Sequence, residues 1–180
     1  AKLLGFDELD ALTQMSLLKP PAGRFEFVES PDGITAIVDY AHTPDALENI
    51  LKTVLTFKKG QERVITVVGC GGDRDVTKRP IMARVAAKGS DRVFLTSDNP
   101  RTEDPAAILE DMKSGLDPIE MRKCISIIDR KEAIRAAALF AESGDIVIVA
   151  GKGHETYQEI NGVQHDFDDR VVLHEAFIIA

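Results

Sequence analysis

Hydrophobic and polar positions along the chain form short apolar runs that alternate with longer stretches of helical periodicity. The runs are rich in Val and Ile, which is typical of strands buried on both faces of a parallel sheet. Alternating strands and helices predict a doubly wound α/β fold with right-handed crossovers. The predicted strands are Arg24–Glu29, Ile34–Val38, Val64–Val68, Val93–Thr96, Ile125–Ile128 and Ile146–Ala150, and the predicted helices are Pro44–Phe57, Arg79–Lys88, Pro105–Leu116 and Lys131–Glu142.

The first residues have a different pattern. Leucines recur at helical spacing over residues 7–18, and Pro20-Pro21 ends that predicted helix. Residues 19–23 are typical of a linker. We therefore divide the chain into residues 1–22, the end of a preceding unit with a hinge, and residues 23–180, a second domain.

Two β-hairpins are also predicted. Turn residues at Pro31-Asp32-Gly33 join the first two strands. Asn161-Gly162 joins two further strands, Tyr157–Ile160 and Val163–Phe167, before a last helix that begins near Asp168.

Composition narrows the class of protein. The chain has 180 residues, of which 44% are hydrophobic and 29% charged, and its net charge is −8. That charge, without a long basic stripe, argues against a nucleic-acid partner. No apolar run reaches the roughly 18 residues of a membrane span, and the N-terminus has no secretion-signal pattern. Cys70 and Cys124 are far apart and are expected to be reduced, buried thiols rather than metal ligands or a disulfide.

Four polar loops follow predicted strands. In open α/β sheets, ligands bind outside the carboxyl ends of the strands, so these loops are expected to form one site. The loops are residues 39–44 (DYAHTP), 69–75 (GCGGDRD), 97–101 (SDNPR) and 150–155 (AGKGHE).

The glycine-rich loop does not match a dinucleotide fingerprint, because Arg74 occupies the third glycine position. Its backbone N–H groups could still bind an anion, and Arg74 offers a fork for a carboxylate. The alternative is a tight turn in which Asp73 or Asp75 pairs with Arg74. The Gly151–Glu155 segment is not a P-loop either, since the chain contains no GK[ST] sequence.

The loop from Asp98 to Arg101 has the groups that a free amino acid requires. Arg101 could bind a carboxylate, while Asp98 and Glu155 could accept hydrogen bonds from an ammonium group. The alternative is a helix-capping Asp98 and a surface Arg101. His42 could contact a nucleotide or cap its turn. No histidine–carboxylate cluster has zinc-ligand spacing, so no metal site is expected in this chain.

Taken together, these motifs resemble the C-terminal part of the Mur ligases, and the resemblance extends from about Gly23 to the final helix. Their order and spacing carry it. They are Gly23-Arg24-Phe25-Glu26, residues 39–44, residues 69–75 with Lys78-Arg79-Pro80, Asp98-Asn99-Pro100-Arg101, and residues 151–155 with Tyr157-Gln158.

The resemblance implies a Rossmann-like C-terminal domain that brings the incoming amino acid to a central ATPase domain. Residues 1–22 would be the tail of that central domain. In the family, ATP and Mg²⁺ convert a carboxylate of a UDP-muramoyl peptide to an acyl phosphate, which an amino group attacks. We expect neither cofactor to bind this chain alone, which would be inactive in isolation. The whole enzyme is expected to be a cytoplasmic, monomeric ligase of peptidoglycan synthesis.

The Asn-Pro-Arg sequence resembles that of family members that select meso-diaminopimelate. The resemblance implies that Arg101 would hold the distal carboxylate of this amino acid. The resemblance also implies that Arg24, Asp39 and His42 reach ATP. Three alternatives remain. The first is a lysine-adding or folate-type relative, against which Arg101 argues. The others are a binding module without chemistry and a dehydrogenase, and the broken glycine fingerprint argues against the dehydrogenase. The implied diaminopimelate pocket comprises Arg74, Asp98, Asn99, Pro100, Arg101, Gly151 and Glu155.

Overall fold

The computed structural model describes residues 21–30, 33–58 and 60–179. The predicted helix over residues 7–18 lies outside these ranges, as does most of the turn at Pro31-Asp32. The division of the chain at residue 22 stays a prediction.

A six-stranded sheet with helices on both faces forms the body of the fold, so the predicted doubly wound α/β class is confirmed. Its strands lie in the order β1-β2-β6-β3-β4-β5, all parallel except β1, which pairs antiparallel with β2. The strands are β1 (Glu26–Val28), β2 (Thr35–Asp39), β3 (Val64–Cys70), β4 (Arg92–Ser97), β5 (Cys124–Ser126) and β6 (Ile146–Ala150). The helices are α1 (Pro44–Phe57), α2 (Lys78–Gly89), α3 (Pro105–Lys113), α4 (Pro118–Lys123), α5 (Arg130–Phe140) and α6 (Asp169–Ile179).

The core has two layers, one on each face of the sheet. Helix α1 faces the first layer with Leu47, Ile50, Leu51 and Val54, which recur at helical spacing. Helices α5 and α6 cover the second layer. Every residue of the central strand β3 is buried as a result, which explains its largely apolar sequence.

Local backbone chemistry moves some boundaries from their predicted positions. Phe25 has a positive φ of 49° and its N–H donates to the Asp39 carboxylate, so β1 begins only at Glu26. The short helix α4 was not predicted. It is stabilised by a capping box in which Asp117 and Glu120 bond each other's backbone N–H groups, and it displaces β5 to Cys124–Ser126.

A separate two-stranded hairpin follows the main sheet. Strands β7 (Tyr157–Ile160) and β8 (Val163–Asp166) pair antiparallel, which confirms the predicted Asn161-Gly162 hairpin. An isolated bridge between Arg101 and Ile160 joins the hairpin to the loop after β4. Among the described helices, none has the length and apolar character required to cross a membrane.

Candidate functional site

The loops after β2, β3, β4 and β6 surround an open cavity of about 560 Å³, here named the loop cavity. Another cavity, of about 600 Å³, lies around Phe25, Phe27 and Phe57 and is mostly apolar. The loop cavity combines charges of both signs and is therefore the better candidate. Its lining is Tyr40, His42, Thr43, Gly71, Arg74, Asp75, Lys78, Asp98, Asn99, Arg101, Gly151, Glu155 and Tyr157.

Asn99 lies at the centre of a hydrogen-bond network in the wall of the loop cavity. Its Oδ1 accepts from Lys152 Nζ at 2.9 Å and from the backbone N–H of Glu159 at 3.0 Å. Its Nδ2 donates to Glu155 Oε2 at 3.0 Å. Because an ammonium and a backbone N–H can only donate, these contacts fix which way the Asn99 amide faces.

Arg101 is held by its backbone and its side chain. Its φ is 52°, and its backbone N–H donates to the Glu159 carbonyl oxygen. Nη1 donates to the Gly72 carbonyl oxygen at 2.8 Å, and Nε lies 3.2 Å from Glu159 Oε2. The side chain is 18% exposed.

These contacts contradict the alternative interpretation of this loop, in which Asp98 caps a helix and Arg101 lies at the surface. Asp98 is buried and does not cap a helix, since Asp104 caps α3. Arg101 is not a surface arginine, because neighbouring loops cover most of its side chain. Pro100 is also buried, but it lies behind the lining of the loop cavity rather than in it.

The glycine-rich loop packs closely against the Asp98–Arg101 loop. A Cβ on Gly72 would lie 1.9 Å from the Pro100 carbonyl oxygen, so no other residue fits there. The Asp73 carboxylate accepts from the Thr102 hydroxyl at 2.8 Å and from its backbone N–H, and these bonds lower the pKa of Asp73. The two loops are thus fixed relative to each other.

Arg74 lies exposed at the rim of this loop. Its Nη1 donates to the backbone carbonyl oxygen of Asp73 at 3.0 Å. The carboxylates of Asp73 and Asp75 bond Thr102 and Thr77 instead. Neither carboxylate forms the ion pair with Arg74 that the predicted alternative required, although the Arg74 charge contributes to the lowered pKa of Asp73, and Arg74 lines the loop cavity.

Sequence reasoning gave Lys152 no role, yet its side chain is fully buried beside the cavity wall. Nζ lies 3.2 Å from Glu155 Oε2, 3.5 Å from Asp98 Oδ1 and 5.5 Å from the centre of the Tyr157 ring. The only sequence signal is a lysine between two glycines, which suggests a phosphate loop rather than a buried ion pair.

A second buried cation lies beneath the same wall. Arg130 forms a two-pronged ion pair with Asp169, and both side chains are 0% exposed. Burial opposes the charge of Arg130, but attraction to Asp169, Asp98 and Glu155 outweighs it and raises the pKa of Arg130. The carboxylates of Asp98, Glu155 and Asp169 therefore outnumber the cations of Lys152 and Arg130.

Charge is thus distributed unevenly around the loop cavity. The inner wall has the excess carboxylate, whereas Arg74, Lys78 and Arg101 bring cations to the lining. Such an arrangement suits a ligand that has both an ammonium and a carboxylate group.

Tyr40 and His42 also line the loop cavity. Burial and the neighbouring Glu155 carboxylate raise the pKa of Tyr40, so its phenol stays protonated. His42 Nδ1 lies 2.8 Å from the Tyr40 carbonyl oxygen and therefore donates to it. This contact matches the turn-capping alternative for His42 and leaves its expected contact with ATP untested.

The other two residues expected near ATP lie outside the cavity lining. The Asp39 carboxylate accepts from the Phe25 N–H at 2.7 Å, and Arg24 is exposed. Gly23 nevertheless lies directly against the Gly153–His154 backbone, which brings this segment to the same edge of the sheet.

The described residues offer little to a metal ion or to a thiol-based reaction. No group of three or more His, Cys, Asp or Glu among them is arranged as a metal site. Cys70 is buried and Cys124 partly buried, both are free, and burial raises their pKa to about 12 and about 11.

Comparison with known families decides the identity of the fold. The family model described as "Mur ligase, glutamate ligase domain" matches residues 23–153. The chain belongs to the Mur ligase family. The matched residues include the first three loops of the cavity completely and the fourth loop as far as Gly153. The Asp98–Arg101 loop therefore lies within the Mur ligase domain.

Curated relatives of this Mur ligase domain are longer proteins. UDP-N-acetylmuramoyl-L-alanyl-D-glutamate–2,6-diaminopimelate ligase of Bacteroides thetaiotaomicron is 60% identical over 177 residues, which is 98% of this chain and 37% of the relative. The ligase of the same name from Bacillus cereus is 58% identical over 154 residues, 86% of this chain and 30% of the relative. The chain thus spans about a third of these proteins.

Solved structures agree. A structure of UDP-N-acetylmuramoyl-L-alanyl-D-glutamate–2,6-diaminopimelate ligase matches with a TM-score of 0.82 and 49% identity, covering 99% of this chain and 36% of that chain. A murein peptide ligase of Psychrobacter arcticus has a TM-score of 0.63 at 13% identity, covering 93% and 32%, and shows the fold alone.

Proposed function

We propose that this domain binds meso-diaminopimelate for an ATP-dependent ligase that joins it to UDP-N-acetylmuramoyl-L-alanyl-D-glutamate in peptidoglycan synthesis. The observation that carries the proposal is the loop cavity itself, in which buried carboxylates and a fixed arginine fork face one space. The names of the relatives at 60% and 58% identity support the choice of substrate.

The ammonium group of one end of the ligand would bind Glu155 and Asp98. Glu155 Oε2 already accepts from Asn99 and Lys152, and the Tyr40 phenol also hydrogen-bonds the Glu155 carboxylate, so a ligand ammonium would share this carboxylate with those three donors. Asp98 Oδ2 lies against Gly151, where the absence of a side chain leaves it open. The charge excess in this wall is the complement of one ammonium group.

The carboxylate of the same end would bind Arg101, with Arg74 beside it. Arg101 is oriented by Gly72 and Glu159 before any ligand arrives, so little side-chain entropy is lost on binding. L-lysine lacks a carboxylate at its distal end and would leave Arg101, which pairs with Glu159 through Nε, without the ligand carboxylate that it is proposed to bind. A site built to pair a polar group rejects a ligand that lacks it.

The other end of diaminopimelate would then supply the amine that forms the new bond. A nucleophilic amine must lose its proton, and it would do so more readily away from Asp98 and Glu155, since carboxylates stabilise an ammonium ion. Binding one zwitterionic end in the loop cavity would leave the amine of the opposite end free to form the new bond.

ATP and Mg²⁺ would be bound by parts of the ligase outside this chain. The chain has no P-loop sequence, and its described residues contain no metal cluster. Arg24, Asp39 and His42 remain proposed ATP contacts across the domain boundary. ATP and UDP-linked precursors are cytoplasmic, which is where we propose that the ligase acts.

The whole ligase tests this proposal. With ATP, Mg²⁺ and the UDP-muramoyl dipeptide, meso-diaminopimelate should stimulate phosphate release and give a product whose mass includes one diaminopimelate residue. L-lysine at the same concentration is the matched control. Equal turnover with both amino acids, or none with diaminopimelate, would refute the proposed substrate.

A further inference from the structure

Lys152 combines complete burial with three polar partners. An ammonium group has three N–H donors, and removing it from water is costly unless each is paired. Asn99 Oδ1, Glu155 Oε2 and Asp98 Oδ1 lie 2.9, 3.2 and 3.5 Å from Nζ. The contacts to Asn99 and Glu155 are hydrogen bonds and the contact to Asp98 is an ion pair, so the charge of Lys152 is balanced inside the protein rather than by a ligand.

The same three residues form the part of the cavity wall that would receive a ligand ammonium group. Asp98 and Glu155 would accept its hydrogen bonds, and Asn99 orients Glu155. Asp98 and Glu155 would repel each other without a cation between them, and the low polarity of a buried wall strengthens that repulsion. Lys152 engages one oxygen of each carboxylate, Oδ1 and Oε2.

We propose that Lys152 is a positioning residue that fixes Asp98, Asn99 and Glu155 to receive the ammonium group of the amino-acid substrate. The proposal rests on the proposed function for the identity of that substrate. Lys152 touches no reacting atom, so its replacement should weaken substrate binding rather than slow the bond-forming step.

The test is Lys152→Met in the whole ligase, because methionine has a similar length and no charge. We expect the KM for meso-diaminopimelate to rise by at least about tenfold, with the KM for ATP and the kcat at saturating amino acid within about twofold of wild type. Lys131→Met is the matched control, since Lys131 has a side chain 43% exposed and pairs with Glu175 at the surface.

A second variant removes the ambiguity of a folding defect. Lys152→Met leaves the carboxylates of Asp98 and Glu155 without their cation and should lower the melting temperature; adding Glu155→Gln removes one of those charges and should restore part of the loss. If Lys152 acts through Glu155, the rise in KM caused by Lys152→Met should be at least about threefold smaller in the Glu155→Gln background than in the wild type.

Three outcomes would overturn the proposal. They are an unchanged KM for the amino acid in Lys152→Met, a parallel rise in the KM for ATP, or additive effects of the two substitutions. Failure of the proposed function is a separate result, because it is seen as absent diaminopimelate-dependent turnover in the wild type. The same comparison would then be made with whichever amine substrate the wild type uses.

Discussion

At the scale of single residues, Gly151 controls how closely the chain approaches Asp98. Its φ is +124°, and an added Cβ would lie 3.0 Å from Asp98 Oδ2. We predict that Gly151→Ala raises the KM for the amino acid by about tenfold and lowers the free energy of unfolding by about 1 kcal/mol. Enzyme kinetics and denaturant unfolding measure the two effects.

Gly144→Ala separates the two causes. Gly144 has a φ of +93°, but a Cβ there meets nothing within 4 Å, and it lies at the opposite edge of the sheet. The control should lose stability to a similar extent while the KM stays unchanged. If Gly151→Ala also leaves the KM unchanged, Asp98 does not contribute to amino-acid binding as proposed.

Residue chemistry explains which site residues could be predicted. Arg101, Asp98 and Glu155 have side chains that complement a zwitterion, and all three line the loop cavity. Lys152 could not be assigned from sequence, because its role depends on Asn99, 53 positions away along the chain. Pairing across that separation is fixed by the parallel sheet and leaves no local pattern.

At the scale of elements, buried strands and glycine turns were predictable, whereas short capped segments were not. Strands β3 and β6 are buried throughout because layers cover both faces of the sheet, and all their residues except Thr66 are apolar. Helix α4 has only six residues, too few to show a helical repeat, and it depends on the Asp117–Glu120 capping box. Boundaries set by single hydrogen bonds, such as the start of β1 at Glu26, could not be predicted from the sequence either.

The turn before β6 depends on Asp145, whose side chain is 6% exposed. Its carboxylate accepts from the Arg63 guanidinium and backbone N–H and from the Glu142 N–H. Burial alone would raise the pKa of Asp145, but these hydrogen bonds outweigh it, so the pKa lies below its ordinary value of 3.8. The carboxylate therefore stabilises the fold above that value, and its contribution disappears as the pH falls through the lowered pKa.

We predict that Asp145→Asn lowers the free energy of unfolding at neutral pH by about 2 kcal/mol. Below about pH 4 the loss should shrink, because the wild-type carboxylate is then itself becoming protonated. Melting temperatures measured from neutral pH into acid would show the two curves converging. A constant difference over that range would contradict the assignment of this linkage to Asp145.

At the scale of the whole molecule, the fold class followed from alternating strands and helices, but the strand order did not. Strand β6, late in the sequence, lies between β2 and β3. This order brings Gly151–Glu155 between the loops that follow β2 and β3, and those loops complete the cavity. Since the chain spans 37% of a relative at 60% identity, amino-acid selection is best measured in the whole ligase.

The most direct test is the ratio of kcat/KM for meso-diaminopimelate to that for L-lysine, in the wild-type ligase and in Arg101→Met. The wild type should strongly prefer meso-diaminopimelate, and the variant should lose at least about 100-fold of that preference, chiefly through a higher KM for meso-diaminopimelate. A variant that keeps the wild-type preference would contradict the central claim that Arg101 in the loop cavity selects the amino acid.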